Sequence, residues 1–389
     1  MANKEKNCRL GKVGGQAVLE GVMMRSGDEV SLAVRREDGS IVVKNSKFVS
    51  VRKKHKILNL PILRGVVNFI EMMILSMKTL NASAEALGLE EENSKFEEWC
   101  KKHFGKHSTD IIMAISLVLG LGLSLFLFLF LPTWSADGLN WLWQNVFHLE
   151  AISPSVIAVL EGVLKVTIFI VYLLLVSMLK DIKRTFMYHG AEHKTIACFE
   201  AGEELTPENA AKHRRFHPRC GTSFMFLMIG IGIVVGMFVR NILPAGTHTL
   251  IISLVKLALL PITMGVGYEI LMLAGKHDNI ITRIISAPGM WVQKITTKEP
   301  TLDMLEIAII STKCALRDEF PEFMEFYQNK GWEPKKEDTE EVVEAEVVEA
   351  EAEVVEAEAE VEVADTEAKV VETEVVETEV EATEQSAEA

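Results

Sequence analysis

The longest uninterrupted apolar run in the chain, Ile111 to Leu131 (IIMAISLVLGLGLSLFLFLFL), has no charged residue. As a helix rising 1.5 Å per residue it is long enough to cross roughly 30 Å of hydrocarbon. Comparable runs cover Ser155 to Leu179, Thr222 to Leu243 and Leu250 to Leu273, the last two joined by LPAGTH. The pattern predicts a mainly α-helical integral membrane protein with about four transmembrane helices, at 111–131, 155–179, 222–243 and 250–273. Residues 57–80 differ in kind. They are apolar apart from Arg64, Asn68, Glu71 and Lys78, which share one helical stripe, so the segment is expected to lie at the interface as an amphipathic helix. A fifth span is the alternative.

The polar regions follow other periods. Residues 29 to 49 alternate on either side of Asp38-Gly39, the signature of a hairpin, which predicts a small cytoplasmic β element within 1–56. GGQAVLEGVMMRS, 14 to 26, reads as an edge strand and turn packed on that hairpin, with Glu20 and Arg25 as its charged positions. Residues 81–110 form a cytoplasmic connector, and 276–334 form cytoplasmic helices. One of these is expected from Thr301, its N-cap, to Phe320, with Leu302, Leu305, Ile309 and Leu316 on an apolar face. In 337–389 the segment EVVEAE starts at 341, 346 and 353, and acidic residues meet only Lys369, predicting a disordered acidic tail.

Charge then gives direction. The net of −15 is concentrated in the tail, so the remainder is basic. The loop 132–154 has no Lys or Arg, whereas 180–221 has Lys180, Lys183, Arg184, Lys194, Lys212, Arg214, Arg215 and Arg219. Positive loops stay inside, so 180–221 and both termini are expected in the cytoplasm, with the chain multi-pass in the cytoplasmic membrane. Trp134, Trp141, Trp143 and Phe147 would mark the outer interface. The five scattered cysteines fit a reducing compartment, and no signal peptide is expected from MANKEKNCRLGKVGGQ.

The loop 180–221 also holds the candidate chemistry. In YHGAEHKTIACFE, His189 and His193 lie one helical turn apart and Glu192 is beside them, the inverted zincin arrangement H-x-x-E-H. Two histidines would hold zinc, and Glu192 would be the general base in metal-assisted hydrolysis. Glu200 is about 10 Å along the axis from His193, too far to ligate the same ion, and is better placed to support the site or a substrate. A third ligand is expected from KHRRFHPRCGTSF, where His217 and Cys220 precede the third span. LTPENAA begins a helix there, with Thr206 as N-cap, and Pro218 ends it near His217. A hairpin through EAGEEL would bring His217 or Cys220 to the pair. Arg219 or Arg215 would hold an anionic group. A solvated basic loop touching lipid headgroups is the bland alternative.

Taken together, GGQAVLEGVMMRS, YHGAEHKTI, HPRCGTSF and GYEILML…PGMWVQKITTKEPTLDMLEIAI resemble the YqhQ-like family of bacterial membrane proteins, over roughly residues 10 to 320. The resemblance implies a metal-dependent enzyme without an established substrate. Its motif positions are His189, Glu192, His193, His217, Arg219 and Cys220, with Glu20, Arg25 and Glu269, while His213 and the tail lie outside it. Within the spans, Glu161 and Lys165 are expected to pair with each other, and Glu269 is expected to face the histidine site. Gly232 and Gly236 permit close helix contact. A non-enzymatic assembly or regulatory protein with a structural His/Cys loop is the other reading, and a transporter a further one. The expected partners are the lipid bilayer, a second copy of the chain and a protein bound through the tail; no nucleic acid is expected.

Overall fold

A computed structural model describes residues 9–88, 103, 108–217, 219–244, 246–276 and 280–332. Much of the connector expected at 81–110, Pro218 and the whole tail at 337–389 lie outside the described residues.

The N-terminal part is a four-stranded antiparallel meander with its strands in sequence order: β1 (Gly14–Val18), β2 (Gly21–Ser26), β3 (Glu29–Arg35) and β4 (Ile41–Lys47). The hairpin around Asp38-Gly39 is β3–β4, with Gly39 at φ 82°. The stretch 14–26 makes a second hairpin rather than one edge strand, because Glu20 enters the left-handed region (φ 47°) and turns the chain. Only β1 is an edge there, and β2 pairs with both neighbours.

After a short helix α1 (Val51–Lys54) and a 3-10 turn (Lys56–Asn59), α2 spans Leu63–Ala86. It starts later and runs further than 57–80. Its polarity is inverted relative to a soluble helix. The buried face holds Gly65, Glu71, Leu75, Thr79 and Ser83, whereas Phe69, Ile70, Met73, Ile74, Met77 and Leu80 are exposed. The polar residues have inward partners: Ser50 donates to Glu71, and Gln16 donates to Thr79.

Among the described residues, three helices are long and apolar enough to cross a membrane: Val118–Asn145, Pro154–Val176 and Gly221–Ile242. The first corrects the expected end of the apolar run. Helix α3 (Ser108–Leu125) passes through a π-turn (Phe126–Phe130) into α4 (Leu131–Asn145), so Trp134, Trp141 and Trp143 are helical. Pro132 lacks an N–H and excludes the carbonyl four residues back, and the wider π-turn before it takes up that misfit. Next come α5 (Pro154–Val176), α6 (Lys180–Ala201), α7 (Pro207–Lys212) and α8 (Gly221–Ile242). The expected fourth span is a bent pair, α9 (Thr249–Ala258) and α10 (Leu260–Lys276), meeting at 49° where Pro261 breaks the helical ladder. Close helix approaches are made at Gly162 of α5, where an added Cβ would lie 2.3 Å from Ile233; Gly236 approaches Ala158, but Gly232 meets nothing within 4 Å.

Helices α11 (Ile280–Thr296), α12 (Leu302–Ala315) and α13 (Pro321–Tyr327) complete the described residues. Thr301 caps α12 by accepting from Met304 N. The helix ends at Ala315 instead of Phe320, and Leu302 is exposed. Sheet, α6 and α7 surround α12, so its residues from Met304 to Ala315 are buried on nearly every side, with Val22, Met24, Tyr188 and Phe199 in the same core. Burial of that kind erases the amphipathic pattern.

Charges among the apolar helices also pair differently from the expectation. Glu161 of α5 binds Lys165 on its own helix at 3.1 Å, but it also accepts from Thr133 of α4 (2.9 Å), Arg240 of α8 (3.3 Å) and Lys256 of α9. Arg240 also reaches Asp137 at 2.7 Å. The pairing is made between helices because a carboxylate in an apolar bundle needs several donors to offset its lost hydration.

Candidate metal centre

The site is built by α6, the loop after α7 and the end of α11. Helical geometry places His189 and His193 one above the other on α6, with ring centroids 4.4 Å apart. Gly202 ends α6 in the left-handed conformation (φ 78°), and Thr206 caps α7 through Asn209 N. α7 stops at Lys212, five residues before His217, so the return segment is non-helical and reaches back to α6. Cys220, the N-cap residue of α8, thereby comes within 3.2 Å of His189 Nε2. One ligand atom from each of His189, His193 and Cys220 falls within 4.8 Å of the others.

Backbone carbonyls orient both imidazoles. His189 Nδ1 donates to Thr296 O at 2.9 Å, and His193 Nδ1 donates to Arg215 O at 2.6 Å. A carbonyl only accepts, so each Nδ1 carries the proton and each Nε2 carries the lone pair. This is how a metal-ligating histidine is usually held. Burial lowers the pKa of His193, partly opposed by Cys220, and so favours the neutral ring. The segment supplying Thr296 is fixed against α6: Lys298 N donates to Phe186 O at 2.8 Å, and Lys194 pairs with Glu299. At Gly190 a Cβ would lie 2.0 Å from Lys298 O, which explains the glycine.

His217 and Glu200 form a neighbouring group. The His217 ring lies 5.6 Å from that of His193, but its Nε2 is 3.6 Å from Glu200 and 3.3 Å from Arg219. Glu200 also pairs with Arg219 and accepts from Gly11 N at 2.9 Å. Burial opposes ionisation of Glu200, but His217, Gly11 and Arg219 outweigh it and hold the carboxyl at about 2. Gln293 of α11 clamps His217 by its backbone, accepting from its N at 2.8 Å and donating to its O at 2.7 Å. Gln293 is fully buried and escaped the sequence reading; a lone amide in the apolar stretch PGMWVQ was the available signal.

Glu192 is 5% exposed, and its Oε2 is buried without a hydrogen-bond partner among the described residues. Burial raises its carboxyl to about 7, against the effects of His189 and of a hydrogen bond from the Gly15 backbone. The remaining expected residues are elsewhere or differently engaged. The Arg215 guanidinium turns to Glu299 (3.2 Å), so only its carbonyl serves the site. Glu20 pairs with Arg184 and accepts from Tyr188 Oη at 3.3 Å. Glu269 pairs with Arg64 of α2. Arg25 lies at the far end of β2, over the Phe48 ring. A second group, Cys198, Glu203 and His213, is also close enough to share an ion, but Glu203 is exposed and Cys198 is pushed up to about 11 by burial.

Two imidazole nitrogens and one thiol sulfur suit a divalent ion of intermediate softness, and the orphaned Glu192 oxygen suits a site with an additional polar occupant. A family model described as a protein of unknown function (DUF1385) matches residues 60–318. The chain is 36% identical over 312 residues to the uncharacterized protein YqhQ of Bacillus subtilis (strain 168), covering 78% of this chain and 92% of that protein. No solved structure matches.

Proposed function

The chain belongs to the DUF1385 family, and within it we propose a metal-dependent hydrolase embedded in the bacterial cytoplasmic membrane, with its site at the cytoplasmic face. The observation that carries this reading is the convergence of His189, His193 and Cys220 with both imidazole protons already committed to backbone carbonyls. These three residues would hold the ion, most simply zinc, which when bound would supply Lewis acidity to a water and to the substrate. Three protein donors leave a coordination position for that chemistry, whereas a purely structural zinc site usually has four. Glu192 accepts the proton of the water and returns it to the leaving group. Arg219, held by Glu200, faces an anionic portion of the substrate, and His217 positions that pair.

Membrane insertion is supported by the exposed apolar surfaces of the long helices, for example Leu121, Val163, Phe238 and Ile242. The orientation rests on the Lys and Arg residues of 180–221. A non-enzymatic assembly role, with the ion clamping the loop, is favoured by the burial of His193, which is 1% exposed.

Metal analysis of the detergent-purified full chain tests the reading. About one ion per wild-type chain is expected, with at least a tenfold loss in His193→Ala and Cys220→Ala. Substoichiometric metal in the wild type without chelators overturns it. Glu192→Gln is expected to keep the ion and lose cellular function; retained function selects the assembly role instead.

A further inference from the structure

Arg25 belongs to one of the sequence motifs, yet nothing in the metal centre uses it. It lines a pocket of about 410 Å³ with Gly27, Asp28, Ser50, Arg52, Lys53 and Asn59. Lys53 pairs with Asp28. Neither arginine has a carboxylate partner among the described residues. Arg25 donates to Gly27 O (2.7 Å) and Phe48 O (3.5 Å), and Arg52 donates to Ser50 Oγ (3.2 Å) and Asn68 Oδ1 (3.5 Å). The pocket therefore offers two guanidinium groups and an ammonium against Asp28 and against Glu71, which lies behind it bonded to Ser50 and Val51 N, an excess of one positive charge. Guanidinium groups suit phosphate oxygens because their planar donors can bind two oxygens at once.

The setting selects the source of that phosphate. The pocket sits where the chain enters α2, whose outward face is apolar. Ile57, Leu60, Leu63, Phe69, Ile70 and Met73 are all exposed, Ile57 at 71%. Arg25 also reaches α2, with a guanidinium nitrogen 3.5 Å from Met72 Sδ. Lys54 and Lys56 add exposed positive charge beside the pocket. A cationic recess continuous with an exposed apolar stripe matches one ligand with both properties, an anionic phospholipid.

We propose that Arg25, Arg52 and Lys53 form a headgroup site for an anionic phospholipid whose acyl chains lie along the exposed face of α2. The site rests on the membrane reading above and is independent of the metal centre. Its effect would be to hold α2 and the β meander at the bilayer surface.

The test measures binding of short-chain phosphatidylglycerol, short-chain phosphatidylcholine and inorganic phosphate to the detergent-purified full chain. Phosphatidylglycerol is expected to bind at least tenfold more tightly than either of the others. Arg52→Gln and Lys53→Gln, which alter exposed or half-buried side chains, are expected each to weaken it at least fivefold. Arg25→Gln should do the same where it folds. Lys212→Gln, on α7 and outside the pocket, should change it less than twofold. Equal binding of phosphatidylglycerol and phosphatidylcholine overturns the site. So does unchanged affinity in Arg52→Gln and Lys53→Gln, or inorganic phosphate binding as tightly as the lipid, which would assign the pocket to a soluble phosphate. Alkaline carbonate extraction of wild-type membranes separates the two readings: a chain released into the supernatant fails the membrane reading itself, whereas a retained chain without lipid selectivity fails only the pocket.

Discussion

Two buried polar clusters among the described residues differ in how many of their atoms are satisfied. In the apolar bundle, Glu161 is surrounded by Thr133, Lys165, Arg240 and Lys256, and Arg240 has Asp137 as a second partner. Arg240 Nε is the orphan there. Around α6, Glu192 has a buried oxygen without a partner, and two imidazoles keep their lone-pair nitrogens turned toward a thiol. The first arrangement consumes its charges in holding helices together. The second keeps donors and acceptors in reserve at a fixed geometry, as sites that bind something do.

The largest expected effect breaks the first cluster. Glu161→Ala leaves several cations without their shared carboxylate among apolar helices, and breaking a buried pair costs about 3–5 kcal/mol. The detergent-solubilised variant should be recovered poorly or unfold at much lower temperature, as read by size-exclusion chromatography after heating. Glu192→Gln removes a carboxylate that is already only partly satisfied, so its stability should change by less than about 1 kcal/mol. Equal losses in the two variants would erase the distinction drawn here.

A smaller effect sharpens the second cluster. Gly190→Ala places a methyl against Lys298 O and displaces the segment that follows α11, shifting the Thr296 carbonyl that orients His189. Overpacking of this kind costs about 1–3 kcal/mol. Metal affinity, measured by competition with a chromogenic chelator, should fall several-fold, while His213→Ala should leave it unchanged. An equal loss in His213→Ala would move the ion to the Cys198, Glu203 and His213 group.

The sequence made some of these features legible and concealed others for physical reasons. Apolar runs and the Asp38-Gly39 turn reveal local structure directly, because periodicity and turn chemistry are properties of neighbouring residues. The ends of those elements depended on compensation that neighbours do not record, as with the π-turn that lets the helix pass Pro132. His189 and His193 were visible as a pair because a helix fixes their spacing. The relation of His217 to Cys220 was not visible, since Gln293, far away in sequence, decides how that loop is held. Glu161 exposed only its i,i+4 partner, because the other contacts depend on which faces of four helices meet. Helix α12 keeps Leu305, Ile309 and Leu316 buried as its pattern predicts, but its burial extends well beyond that face for the same reason: three surrounding elements, not its own pattern alone, decide it.

Thiol reactivity gives the mildest test and separates the two histidine–cysteine groups without changing a residue. Burial pushes Cys198 and Cys314 up to about 11, so at pH 8 both are almost entirely protonated thiols. Because thiolate is the reactive form, raising the pH toward 11 should increase their labelling, provided the fold persists. Cys220 is only half-buried and would be shielded by a bound ion. Iodoacetamide treatment of the full chain, followed by peptide-resolved mass spectrometry, should leave Cys198 and Cys314 largely unmodified with or without chelator at pH 8. Labelling of Cys220 should rise several-fold once the chelator is added. Chelator-dependent labelling of Cys198 with no change at Cys220 would reverse the assignment of the two groups.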